Sequence, residues 1–196
     1  NFQMADLSGS LYAALGILLA LQSRASSGKG QYIDVSMTDG LVSLLAVPLS
    51  FTFAGSQFPG RPDNKSPMAY PCYRSYKTKD GRHISVGPLE EHLWKKLCEK
   101  LGKSEYSDKQ YDKSYISEIT LGLEEIFSSR DLKDWLEFLD GPDYCVSPVN
   151  HIEDLPYEPQ LAHRRMILKN SQGIPVPGLT PQLSETPASI RKESYI

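Results

Sequence analysis

The stretch ADLSGSLYAALGILLALQSRASSGKGQYIDVSMTDG, residues 5–40, decides the fold. Its spacing predicts a helix over 8–25, apolar on most sides, with Ser8 or Ser10 placed to cap the first exposed amides. Gly9, Ala13, Gly16 and Ala20 fall on one side of that helix and let another backbone approach closely. Such a helix is expected to sit deep. SSGKGQ ends it through Gly28 or Gly30, since either can take the left-handed conformation that helix termini favour. A single G-x-G lacks the fuller pattern of a phosphate-binding loop. QYIDVSM then alternates Ile33, Val35 and Met37 with Asp34 and Ser36, the two-residue period of a strand. Thr38 and Asp39 stand where they can cap a second helix, TDGLVSLLAVPLSFTFAG. Pro48 should kink it, because the ring removes a backbone donor and crowds the preceding turn. Helix, strand, helix is the order of an α/β layer.

Outward from this stretch the character changes. FPGRPDNKSPMAYP, residues 58–71, has four prolines and no period, which predicts a linker after a first domain over 1–57. CYRSYKTKDGRHISVG reads as two short strands joined at Asp80-Gly81. PLEEHLWKKLCEKLG reads as a helix with Pro88 at its start, Glu90 and Glu91 in the first turn and Gly102 as its stop. Leu89, Leu93, Trp94, Leu97 and Leu101 make its core face. Two further helices are expected at about 114–128 and 131–139, the second ending at Gly141, with Trp135, Leu136 and Leu139 in the core. YCVSPV reads as a strand whose Pro148 places it at an edge or an ending. These elements make a second domain over 72–149. Residues 150–196 read as a return segment and a Gly/Pro-rich tail with little core of its own.

Composition bounds the rest. Across 196 residues, 40% are hydrophobic and 23% charged with a net charge of -3, an ordinary globular balance that argues against a nucleic-acid partner. Cys72, Cys98 and Cys145 are odd in number and far apart, suggesting neither a disulfide framework nor a zinc site, and a reducing compartment fits them, cytoplasm or organelle matrix. The apolar run Leu11 to Leu21 is shorter than a membrane crossing needs, so no membrane partner is expected. No basic region precedes it, as a signal peptide would require. The absent initiator Met and the abrupt start suggest a chain that begins inside a larger protein.

Two acids are candidates for chemistry. Asp6 stands at the mouth of the first helix, where a carboxylate can serve simply as a cap or dipole partner. Set beside Leu, Ala and Gly, it is also in surroundings that shift a pKa or bare a nucleophile. Glu90 carries the same two readings in the first turn of its own helix. His92 neighbours both Glu90 and Glu91 on an exposed face. His83, His151 and His163 form no metal-ligand spacing, so no bound metal is expected. Ser8 and Ser10 lack the G-x-S-x-G elbow. Asn64 heads an NKS triplet, but Pro67 and the cysteine usage argue against glycosylation.

ADLSGSLYAALGILLALQSRASSGKGQYIDVSMTDG, then PCYRSYKTKDGRHISVGPLEEHLWKKLCEKLG (71–102) and DYCVSPVNHIEDL (143–155), in that order, resemble the family III CoA-transferases (CaiB/BaiF). That group also contains α-methylacyl-CoA racemase. The resemblance runs from Ala5 to about Ala188 and is nearest the racemase branch, whose members carry a similar ADFxGGG opening and a DxCVxPV segment.

The resemblance implies that Asp6 is the family's central aspartate. In transferases that residue attacks the thioester; in racemases it exchanges the proton on the carbon alpha to it. Glu90 matches the acid that supports a catalytic histidine in the racemases, and that histidine precedes the segment matched here. The chain therefore resembles a C-terminal portion, inactive by itself. It implies the second half of a Rossmann-like large domain followed by a small α+β domain, in an interlocked dimer. A coenzyme A thioester would be the substrate, with no covalently bound cofactor. The partner would be a second copy or the N-terminal half that carries most of the CoA-binding surface; no cofactor-binding residue is assigned here. SPMAYP departs from the glycine-rich loop of formyl-CoA-type transferases and from the racemases' GGAP. Racemase or epimerase chemistry is the leading expectation, CoA transfer between carboxylic acids the next, and a non-catalytic fragment kept for dimerisation the third.

Overall fold

A computed structural model describes residues 2–55, 70–141 and 143–189. Most of the proline-rich segment, with Asn64 and all of SPMAYP except Tyr70 and Pro71, lies outside the described residues. So does the end of the tail. The chain divides into two units, Asn1–Met68 and Ala69–Ile196.

The described part of the first unit is helical. α1 spans Met4–Ser27 and starts a turn earlier than its sequence suggests. Neither Ser8 nor Ser10 caps it: Gln3 holds the N-cap position without a side-chain bond. Both serines lie inside the helix and donate back to carbonyls of the preceding turn, Ser8 Oγ to Ala5 at 2.9 Å and Ser10 Oγ to Asp6 at 2.8 Å. Gly28 ends the helix at φ 70°, its N–H on the Arg24 carbonyl.

α2 (Met37–Leu44) starts at Ser36, whose hydroxyl accepts from Asp39 N–H, so the cap is Ser36 rather than Thr38 or Asp39. The predicted kink is a full break: α3 (Ala46–Phe53) follows after Leu45. Pro48 has no N–H to offer Leu44, so the helix cannot run through.

The small-residue stripe of α1 works as its spacing implies. A Cβ on Gly9 would stand 2.9 Å from Met37 Cγ, and one on Gly16 3.0 Å from Ile33 Cγ2. From the other side, a Cβ on Gly40 would stand 2.9 Å from Ser8 Oγ and 3.2 Å from Tyr12 Cδ2. Tyr12 and Ser43 hydroxyls close the crossing at 2.5 Å.

Further expectations fail in this unit. α1 does not sit deep: only Ser8 and Gly9 are buried, and Leu11 and Leu18 are 72% and 63% exposed. Among the described residues, one short helix and the segment before it cover the small-residue side and leave Leu11, Leu15, Leu18 and Leu19 at least half exposed. Nor is QYIDVSM a strand; a two-residue period predicts one only where another strand pairs with it, and no strand forms among the described residues of this unit. At 24 residues α1 is also long and apolar enough, by length and composition, to cross a membrane, contrary to the shorter reading of its apolar run. A core helix of a larger fold passes the same test.

The second unit has a closed core. β1 (Arg74–Lys77) and β2 (His83–Val86) pair antiparallel around Asp80-Gly81, with Gly81 at φ 80°. β3 (Val146–Pro148) adds at the edge of β2, where Pro148 does no harm to the ladder. α4 (Glu91–Lys100), α5 (Ile116–Phe127) and α6 (Leu132–Phe138) pack on this sheet.

Tyr76, Ile84, Val86, Trp94, Leu97, Ile119, Leu123 and Phe127 are essentially inaccessible. Tyr76 stacks on Phe127 at 5.1 Å and Phe127 meets Trp135 at 5.0 Å. The polar tips of three buried aromatic side chains find carbonyls: Tyr76 OH donates to Pro71, Trp94 Nε1 to Tyr106 and Trp135 Nε1 to Phe127. Trp135 and Leu139 are core as read; Leu89 is not, being 44% exposed just ahead of α4.

Asp80 ties the hairpin to α6 by accepting from Thr78 Oγ1 and the Leu132 N–H, and the Thr78 bond first of all holds its carboxyl below the usual carboxylate range. Past β3 the chain is more ordered than a tail. A 3₁₀ turn (Ile152–Tyr157) and α7 (Pro159–His163) lead to an antiparallel pair, β4 (Ile167–Lys169) and β5 (Pro175–Pro177). Asn170, whose Oδ1 accepts from Gln172 and Ile174, and Gly173 at φ 79° build its turn.

Candidate functional site

Asp6 lies in the first turn of α1. It is exposed, and its carboxylate caps nothing and makes no hydrogen bond or ion pair with another described residue. A cleft of about 250 Å³ in this unit lies further along the helix and is lined by Tyr12, Gly16, Ile33, Asp39, Gly40 and Ser43 without Asp6. Asp6 is thus a carboxylate that the described residues of its own unit neither bury nor use.

Glu90 belongs to the second unit and precedes α4, at the N-cap position rather than within the first turn. Glu is a poor N-cap, and the Glu90 side chain makes no capping bond. The structure separates the two adjacent acids clearly. Glu91 pairs with Lys95 at 2.7 Å, one turn along, whereas Glu90 has no hydrogen-bond or ion-pair partner among the described residues. His92 is exposed beside them.

The backbone under Glu90 is held on both sides. Its own carbonyl accepts from Leu93 N–H and Trp94 N–H, each at 3.0 Å, which starts α4. On the other side Gln110 Nε2 donates to the carbonyls of Pro88 (2.9 Å) and Leu89 (3.0 Å), and the Tyr111 hydroxyl also donates to Leu89 O. Gln110 is buried; Tyr111 is half exposed and meets Tyr70 edge-on at 5.0 Å.

The surroundings are electrostatically connected. Desolvation first, then the charges of Cys72 and Glu90, push the Tyr111 hydroxyl up from its ordinary value. Partial burial raises the Cys145 thiol, with an Asp143 hydrogen bond and the Glu90 charge adding to it. Cys145 sits at φ 51°, and its carbonyl accepts from Gly87 N–H, joining the β3 end to the segment that leads into Glu90.

Asp6 and Glu90 therefore occupy different units, and each has no hydrogen-bond or ion-pair partner among the described residues. The remaining histidines are dispersed: His83 begins β2, His151 caps the 3₁₀ turn and His163 ends α7. Among the described residues no group of three or more His, Cys, Asp or Glu is placed to hold a metal ion. The three cysteines are free thiols. Gln110 and Tyr111 escaped sequence reading because SDKQYDKS has no period and no motif; only their contacts with Pro88 and Leu89 mark them.

The chain is similar to known proteins. The chain is 32% identical to the α-methylacyl-CoA racemase of Mus musculus over 92% of its own length and 48% of that protein. It is 28% identical to the acetyl-CoA:oxalate CoA-transferase of Acetobacter aceti over 97% of its length and 54% of that protein. Its fold matches the crystal structure of Rv3272 from M. tuberculosis with a TM-score of 0.77 at 19% identity, covering 96% of this chain and 51% of that one. The chain spans about half the length of the curated relatives it matches. Its mixed helix-and-sheet architecture is that of these solved structures. The sequence profile of CoA-transferase family III matches residues 1–194, and the chain belongs to that family.

Proposed function

We propose that the protein acts on coenzyme A thioesters as a racemase or epimerase, exchanging the proton on the carbon alpha to the thioester. The observation that carries this reading is Asp6: an exposed, unpaired carboxylate in the first turn of α1, within the block of sequence that resembles the family's central aspartate. The similarity to an α-methylacyl-CoA racemase supports the choice of reaction.

In this reading the Asp6 carboxylate removes the α-proton, leaving the electron pair in an enolate delocalised onto the thioester oxygen. A second acid on the opposite face returns a proton to the α-carbon, and the configuration inverts. Glu90 supports that second group, a histidine supplied by sequence preceding this segment. The coenzyme A surface, the Rossmann-like large domain and the interlocked dimer belong to the same proposal, as does a location in the cytoplasm or an organelle matrix. Residues 1–57 would complete the large domain, 72–149 would be the small domain and 150–196 the return path. The segment by itself would be inactive.

The second reading is CoA transfer, favoured by the likeness to an acetyl-CoA:oxalate CoA-transferase. There Asp6 attacks the thioester carbonyl and expels CoA thiolate to form an anhydride. The thiolate then attacks the aspartyl carbonyl, releasing the carboxylic acid and leaving a CoA thioester on Asp6. The acceptor carboxylate attacks that thioester, and CoA returning to the resulting anhydride frees Asp6. The third reading, a non-catalytic fragment kept for dimerisation, predicts neither activity.

One experiment separates them. The whole protein is incubated with 2-methylhexanoyl-CoA in deuterated water, with and without an acceptor acid. Racemase chemistry places deuterium at the α-carbon with no acceptor present, whereas transfer requires the acceptor. Asp6→Asn should lower either rate by at least about a hundredfold; wild-type turnover in that variant rejects the reading.

A further inference from the structure

Glu90 presents an anomaly that packing does not explain. It occupies an N-cap, where Ser, Thr, Asp or Asn would satisfy an amide, and it satisfies none. Nor does it pair with a lysine, as Glu91 does. Yet the backbone on both sides of its Cα is immobilised more thoroughly than a helix entrance requires.

The Leu89 carbonyl shares a peptide plane with Glu90 N–H. Its two lone pairs are both taken, one by Gln110 Nε2 at 3.0 Å and one by Tyr111 OH. The preceding plane is fixed by Gln110 Nε2 on Pro88 O, and Gln110 Nε2 also reaches Tyr111 OH at 3.2 Å, so the two side chains brace each other. The following plane is fixed by the first bonds of α4.

With these planes held, the Glu90 backbone rests at φ −75° and ψ 134°, and only the side-chain torsions remain free. Gln110 pays a penalty for this arrangement: its Oε1 is buried and has no hydrogen-bond partner. Turning the amide over would point that oxygen at two carbonyls, so the orientation is forced by the acceptors it serves.

We infer that Gln110 and Tyr111 are positioning residues for Glu90, clamping the Pro88–Glu90 backbone so that the carboxylate is presented from a fixed base. The inference rests on the reading of Glu90 as the acid that supports the proton-transfer partner. A supporting carboxylate works by orientation, and displacement of its backbone by a fraction of an ångström misplaces the group it orients.

The test uses the whole protein, 2-methylhexanoyl-CoA as probe, and three variants: Tyr111→Phe, Glu90→Gln and the two combined. Tyr111→Phe keeps the ring and removes the hydroxyl. It should lower kcat for α-deuterium exchange about five- to tenfold with KM within about twofold. In the Glu90→Gln background the same change should cost less than about twofold, because the residue it acts through is already gone. Amide hydrogen exchange over residues 88–94 should accelerate about threefold or more in Tyr111→Phe and stay unchanged elsewhere.

An unchanged kcat in Tyr111→Phe, an equal loss in both backgrounds, or unaltered exchange over 88–94 overturns the inference while leaving the functional reading intact. A silent Glu90→Gln overturns the role of Glu90 in the functional reading and the inference with it.

Discussion

α1 and α4 reverse what their compositions promise. α1 has 24 residues, is apolar on most sides, and buries two of them, Ser8 and Gly9. α4 has ten residues, half of them charged, and buries Trp94, Leu97 and Cys98 almost completely. Burial follows from what surrounds a helix, and α4 has a sheet, two helices and the 3₁₀ turn Ser104–Lys109 from its own unit. α1 has one short helix and the segment leading into it. Hydropathy states which side chains gain from being covered; it does not supply the cover.

The comparison breaks first at the core of the second unit. Trp94→Ala removes the largest fully buried side chain and its bond to Tyr106, and should cost about 3–5 kcal/mol in urea unfolding; a loss below about 1 kcal/mol would mean this core is not closed. Asp6→Asn comes next, at about 2.7 kcal/mol or more of transition-state stabilisation if the rate falls a hundredfold. Because Asp6 supports nothing in its own unit, that variant should keep the wild-type melting temperature, and a fall of several degrees would make it a structural residue.

Gly40→Ala probes one of the close contacts that α1 does make. Crowding Ser8 and Tyr12 should cost about 1–3 kcal/mol, partly offset by up to about 1 kcal/mol of helix propensity. A stabilised variant would show that α1 and α2 do not cross where Gly40 meets Ser8. The smallest effect sharpens the contrast most. Leu18→Ala in the 196-residue chain should shift stability by no more than about 0.5 kcal/mol. In the whole protein, if the rest of it covers α1 as proposed, the same change should cost about 2–5 kcal/mol. Equal small shifts in both would leave the exposed face of α1 without a covering partner.

The second unit was largely legible because its determinants are local. Asp80-Gly81 selects a hairpin, Gly102 stops α4 at φ 69°, and Pro148 confines its strand to an edge, whereas α6 ends at Phe138 ahead of Gly141. The period of α4 marked Trp94 and Leu97. It also marked Leu89, wrongly, since Leu89 precedes the first turn and is 44% exposed. In the first unit the Gly/Ala stripe was readable for the same local reason, and Pro48 marked an interruption, read as a kink where the helix breaks outright. The QYIDVSM strand was misread because a strand exists only by pairing, and pairing is a property of two segments.

The candidate acids were legible as letters and not as a site. Sequence alone pointed to Asp6 and Glu90 and left each open between cap and chemistry. Only the fold showed that neither caps, that Glu91 pairs with Lys95 while Glu90 does not, and that Gln110 and Tyr111 grip the peptide beneath Glu90.

By itself, then, the sequence determined the family, the helix stops, the hairpin and the two acids, all of which depend on residue type at short spacing, where backbone sterics and periodicity act. The tertiary structure decided which apolar faces are covered, which acids are already in use and which side chains hold the Glu90 backbone. Those depend on contacts between segments far apart in the chain, and no local preference encodes them.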